Sequence, residues 1–105
     1  MTKTEIQQAI SCITKQLIDK YHPEKVILVG SASKDGEEAH DIDLFIIKSD
    51  VPFYGSDRAG QLYRLVETDA PVDYIVYKPQ EAEERLCLGD PFVTKIFREG
   101  KVLYG

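Results

Sequence analysis

No stretch of this chain reaches the ~20 consecutive apolar residues that a membrane-spanning helix needs. A helical span is therefore not expected. The opening MTKTEIQQ is polar, which is unlike a signal peptide. Cysteine is scarce. Cys12 and Cys87 have no metal-like spacing and form no C-x-x-C, so both are read as reduced, mostly structural thiols. Positive charge is not in excess. Lys plus Arg number 13 against 18 Asp plus Glu, a formal net charge of −5. That balance disfavours nonspecific attraction to a phosphate backbone, and direct nucleic-acid binding is not expected. Repeats and low-complexity linkers are missing as well. The 105 residues suffice for one domain and hardly for two, so residues 1–105 are read as a single domain. What is present is ordinary for a globular chain, 43% hydrophobic and 30% charged. The expected setting is the cytoplasm.

Periodicity outlines the elements. Ile6, Ile10, Ile13, Leu17 and Tyr21 recur at three-to-four spacing and predict an amphipathic helix over 4–21. Thr4 and Gln7 resemble a capping box, and Pro23 ends the helix near His22. KVILVG (25–30) and DIDLFIIK (41–48) read as buried strands, and VDYIVY (72–77) as a third. A short helix is expected over 57–68, and another from Pro79 to about Leu88. Asp90 and Pro91 read as the start of a last helix that Gly100 stops, and KVLY as a short edge strand. The fold class this implies is α/β, a small mixed sheet backed by helices.

Topology then concentrates the acids. The link between the first two strands is about ten residues, too short for a usual parallel crossover, so these strands are expected to be antiparallel neighbours. The longer link to the third strand contains a helix and permits a right-handed parallel crossover. On that arrangement Gly30 and Ser31 lie beside Asp41 and Asp43, and Asp73 comes to the same edge. Asp41 and Asp43 are two apart on one strand, so both point to one face, while Ile42 and Leu44 point to the other. Clustered carboxylates suit Mg²⁺ or Mn²⁺, hard cations that accept oxygen ligands and leave positions for water and phosphate. Gly30 allows a phosphate to approach the backbone, and Ser31 adds a hydroxyl.

The pattern G-S, a polar link, D-I-D-L and a lone later Asp resembles the DNA polymerase β-like nucleotidyltransferase superfamily. It is most similar to the minimal bacterial branch often encoded beside a HEPN-domain toxin. The resemblance covers nearly the whole chain and extends to the ending REGKVLYG. It implies the nucleotidyltransferase fold, with Asp41, Asp43 and Asp73 as catalytic residues and metal ligands. It also implies nucleotide binding by Gly30, Ser31 and Lys34, with Mg²⁺ or Mn²⁺ as cofactor. ATP would be the substrate, and AMP would pass to a hydroxyl on a HEPN-type toxin in a hetero-oligomer. The Gly-Ser loop departs from the family's G-S-x-A-R-G: it reads G-S-A-S-K-D-G, with Lys34 at or beside the expected Arg, and His40 replaces a Ser before the first aspartate.

Each residue also has a plainer reading. A D-x-D can end a turn in solvent, Gly30-Ser31 can be an ordinary strand exit, and Lys34 and His40 can be surface residues. Glu81, Glu83 and Glu84 read as plain helix charges, and Tyr54, Tyr63, Tyr74, Tyr77 and Tyr104 as core or interface residues without further distinction. A rival function is a non-catalytic antitoxin that occludes its partner. A weaker one is transfer to a small molecule such as an aminoglycoside.

Overall fold

Residues 42–47, IDLFII, carry apolar side chains on both faces, and burial on both faces requires cover on both sides. The structure, a computed structural model, describes residues 2–30 and 41–105. In it β1 (Lys25–Val29), β2 (Ile42–Ile47), β3 (Val72–Tyr77) and β4 (Lys101–Tyr104) form one sheet in the order β3-β2-β1-β4. β1 is antiparallel to both β2 and β4, and β2 is parallel to β3. The mixed α/β fold is therefore as the sequence implies. The short edge strand at the end of the chain is also found.

Helices α1 (Lys3–Gln16) and α2 (Gly55–Leu65) cover one face, and α3 (Pro79–Cys87) and α4 (Pro91–Glu99) the other. Ile42, Leu44 and Ile46 are buried with Ile6, Ile10, Ile13 and Leu62. Phe45 and Ile47, one residue out of phase, are buried with Ile27, Ala82 and Ile96. Each such side chain contributes about 1.5–3 kcal/mol of burial, so β2 is the main apolar anchor of both layers. Among the described residues, no helix is long and apolar enough to cross a membrane.

Local details differ from the sequence reading. The capping box is Thr2 with Glu5, two residues before the expected Thr4 and Gln7. Glu5 accepts from Thr2 N at 3.1 Å, and Thr2 Oγ1 accepts from Glu5 N at 3.2 Å. The glutamate also meets the positive end of the helix dipole, which a glutamine cannot do with a full charge. Leu17–Tyr21 form a π-helical turn that keeps Leu17 and Tyr21 on the buried stripe. His22 ends it at φ 56°, in the left-handed region, and so leaves right-handed helical geometry before Pro23 as expected. Cys12 and Cys87 are free and exposed, so neither is the packed structural thiol expected.

Arg58 is the one buried charged side chain among the described residues, at 4% exposure. Its Nε donates to Pro52 O at 2.6 Å, and its Nη2 to Phe53 O at 3.1 Å. Nη1 donates to Val76 O at 3.1 Å and to Glu81 Oε1 at 2.6 Å, and Nη2 also reaches Glu81 Oε2 at 3.1 Å. Glu81, read from the sequence as a plain helix charge, is therefore half of the fold's central ion pair. Its hydrogen bonds from Arg58 hold its carboxyl below the usual glutamate range.

Arg58→Ala leaves three carbonyls and a carboxylate without their donor. We expect a loss of about 3 kcal/mol, the low end for breaking a buried pair. Glu81→Gln is expected to cost less, about 1 kcal/mol, because that side chain is 40% exposed. Urea denaturation of both variants checks the order. Equal stability of Arg58→Ala and wild type would contradict it.

Candidate functional site

The register of the sheet assembles the site. β1 and β2 place Val29 opposite Asp43, and β2 and β3 place Asp43 beside Asp73. Asp41 immediately precedes β2 and is exposed. Gly30 follows β1 with φ +76°, and a Cβ built there falls 2.9 Å from Asp43 Oδ2. Only glycine admits that backbone and that carboxylate together without strain. Gly30, Asp41, Asp43 and Asp73 thus converge as expected. Ser31 and Lys34, with His40, lie outside the described residues.

The electrostatics are one-sided. Burial pushes the Asp43 carboxyl above the ordinary aspartate range. The Asp73 and Asp41 charges and a hydrogen bond with Asp73 push it the same way. The ion pairs among the described residues involve other acids, Glu81, Asp90 and Glu99. No described Lys or Arg neutralises these three carboxylates.

A cleft of about 400 Å³ opens beside them, lined by Asp41 and Asp73 and by Tyr63, Val66, Pro71 and Tyr74 among others. Tyr63 Oη donates to Asp73 Oδ1 at 3.2 Å. Its ring meets Tyr74 edge to face, centroids 5.1 Å apart. Burial, the Asp73 charge and the hydrogen bond to Asp73 push the Tyr63 phenol up, against a smaller opposite pull from a backbone hydrogen bond at Tyr74. Burial first, then Tyr63, pushes the Tyr74 phenol up to about 12. Both stay protonated at neutral pH, so Tyr63 is a donor. Nothing in the sequence separated Tyr63 from the other tyrosines. Its role depends on where the last turn of α2 meets the start of β3.

No family model, curated protein or solved structure matches the chain.

Whether a cation suits these residues turns on donor chemistry. Among the described residues, no group of three or more His, Cys, Asp or Glu side chains is close enough to hold a metal by itself. The described residues alone therefore do not build a closed structural site. Mg²⁺ and Mn²⁺ use a different arrangement, with one or two carboxylates supplemented by water and substrate phosphate. An all-carboxylate donor set in uncompensated negative surroundings fits that open kind of site.

The shift at Asp43 sets a sign. Its folded-state pKa is raised, so the folded chain binds this proton more tightly than the unfolded chain. The ionised carboxylate then opposes folding above the raised value, and the opposition fades as pH falls to the ordinary aspartate range. In metal-free buffer, Asp43→Asn is expected to raise the thermal midpoint at neutral pH, with the gain shrinking on acidification. Gly30→Ala is expected to lose about 1–2 kcal/mol through its left-handed backbone alone. Thermal melts across a pH series check both. A lower midpoint for Asp43→Asn at neutral pH would overturn the electrostatic account.

Proposed function

We propose that this protein is a metal-dependent nucleotidyltransferase of the minimal type. The observation that carries the reading is the convergence of Asp41, Asp43 and Asp73 beside Gly30, with Asp43 in negative surroundings that no described cation offsets. A carboxylate cluster without a counter-charge is costly, and a site that recruits a cation with each substrate gives it a use. The resemblance of the motif order to that family supports the same reading.

Asp41 and Asp43 would hold Mg²⁺ or Mn²⁺ together with water and phosphate oxygens, and Asp73 would complete the site as the ion binds. Bound there, the cation supplies positive charge to the triphosphate oxygens of ATP. Gly30 lets a phosphate approach the end of β1 closely. Asp73, exposed on the outermost strand, is the acid best placed to accept a proton from an incoming hydroxyl. The acceptor oxygen would form a bond to the α-phosphorus as the bond to pyrophosphate breaks. The hydroxyl proton would pass to a carboxylate oxygen of Asp73, and the product would be an AMP ester. Ser31 and Lys34 belong to this proposal as phosphate contacts on the strength of the resemblance.

The acceptor in this reading is a hydroxyl on a cytoplasmic protein partner of the HEPN-toxin kind. The excess of acidic residues supports a protein over a free nucleic acid. Phe53 and Tyr54, 81% and 67% exposed, stand ring to ring at the surface and offer apolar area for such a partner.

Titration calorimetry with ATP, with and without Mg²⁺, tests the reading without an acceptor. Binding is expected only with Mg²⁺. The Asp41→Ala, Asp43→Ala double variant is expected to weaken it more than about tenfold. Metal-independent binding, or equal binding by the variant, would refute a cation-dependent nucleotide site. Absence of binding by the wild type would favour the occluding-partner alternative.

A further inference from the structure

We propose that Tyr63 is a positioning residue, whose hydroxyl holds the Asp73 carboxylate in its place beside Asp43. The inference rests on the nucleotidyltransferase reading and adds to it a side chain outside the acidic motif.

Three observations support it. Asp73 is exposed on the outermost strand and lies beside Asp43 in the parallel register. When both are ionised, two like charges in that relation favour rotamers that swing them apart, and an exposed aspartate has rotamers to spare. The Tyr63 hydroxyl reaches Asp73 Oδ1 at 3.2 Å and opposes that swing.

The donor is also neutral. A lysine or arginine at this place would orient Asp73 but would cancel the negative potential that attracts a divalent cation. A phenol directs the carboxylate and leaves the charge intact.

The hydroxyl is itself fixed. The Tyr63 ring packs edge to face on buried Tyr74. Its neighbour Leu62 is fully buried, and Arg58 ties the first turn of α2 to β3 and α3. Phe in place of Tyr63 keeps the ring and its contact with Tyr74, and removes only the donor. Tyr63 is 54% exposed, so that change leaves the core untouched.

The test is a double-mutant cycle read by Mn²⁺ binding, measured by electron paramagnetic resonance with and without a non-hydrolysable ATP analogue. The proteins are wild type, Tyr63→Phe, Asp73→Asn and the double variant, and their thermal midpoints are recorded alongside. Tyr63→Phe is expected to weaken Mn²⁺ binding about tenfold at an unchanged midpoint. The double variant is expected to bind no more weakly than Asp73→Asn alone, because Tyr63 acts through Asp73. Two results would overturn the inference while leaving the nucleotide site standing. One is wild-type affinity in Tyr63→Phe. The other is a loss on Tyr63→Phe that is just as large with Asn at position 73. Failure of the wild type to bind Mn²⁺ in either condition would instead overturn the underlying nucleotidyltransferase reading, and the inference with it.

Discussion

The buried guanidinium of Arg58 constrains more of this fold than any other polar group among the described residues. A parallel β2-to-β3 connection must carry the chain back across the sheet, and helix α2 does this. Apolar contact alone lets a helix of 11 residues slide or rotate on a sheet. Arg58 removes that freedom, because its hydrogen bonds run to the loop before α2, to the end of β3 and to Glu81 on α3. Desolvating the guanidinium costs several kcal/mol, and only this near-complete set of acceptors offsets it. The pair therefore serves geometry more than net stability. It locks one helix from each layer to the strand between them.

That geometry is spent at the other end of α2. The first turn is held by Arg58 and the last turn carries Tyr63, whose hydroxyl meets Asp73 at the start of β3. Position matters there because the charges resist it. Asp43 and Asp73 are register partners, and Asp41 adds to the same potential. Burial raises the cost of ionising Asp43 and the neighbouring charges raise it further. A sheet mouth built for stability would place a polar neutral residue or a lysine here. Gly30 compounds the choice, since its left-handed backbone and missing side chain make room for the Asp43 carboxylate. The glycine opening and the repulsion lie at one place, where a divalent cation would relieve the repulsion.

Much of this arrangement was legible from spacing. The apolar stripe of α1, the three core strands and the cap at Asp90 follow from periodicity and turn chemistry. The lengths of the two links separate an antiparallel neighbour from a parallel one. Those inferences were enough to bring Asp41, Asp43 and Asp73 to one edge. Arg58 and Glu81 were not legible, because 23 residues separate them and each alone looks like a solvated helix charge. One signal was available. Arg58 precedes Leu62 by one helical turn, so it occupies the buried stripe of α2. Tyr63 gave no signal, because a hydroxyl-to-carboxylate contact at the edge depends on the exact docking of α2. The capping box slipped by two residues because two threonines near the start satisfy the same pattern, and only the charge of Glu5 distinguishes them.

Register is the quantity on which the functional reading turns. Side chains alternate with a period of two, so a one-residue slip of β3 against β2 would carry Asp73 to the α1 and α2 face and bring Tyr74 to the other. Tyr74 is buried on the α1 and α2 face with Val72 and Val76, and moving these three would expose apolar area while burying a carboxylate. At about 1.5–3 kcal/mol for each buried side chain, the slip would cost more than the Asp43–Asp73 repulsion it would relieve. The core therefore holds the two acids together against their own electrostatics. Apolar packing fixes the alignment of β3, Arg58 fixes the helix that leads into it, and the acids at the strand mouth remain register neighbours because neither backbone can shift without the layer beneath.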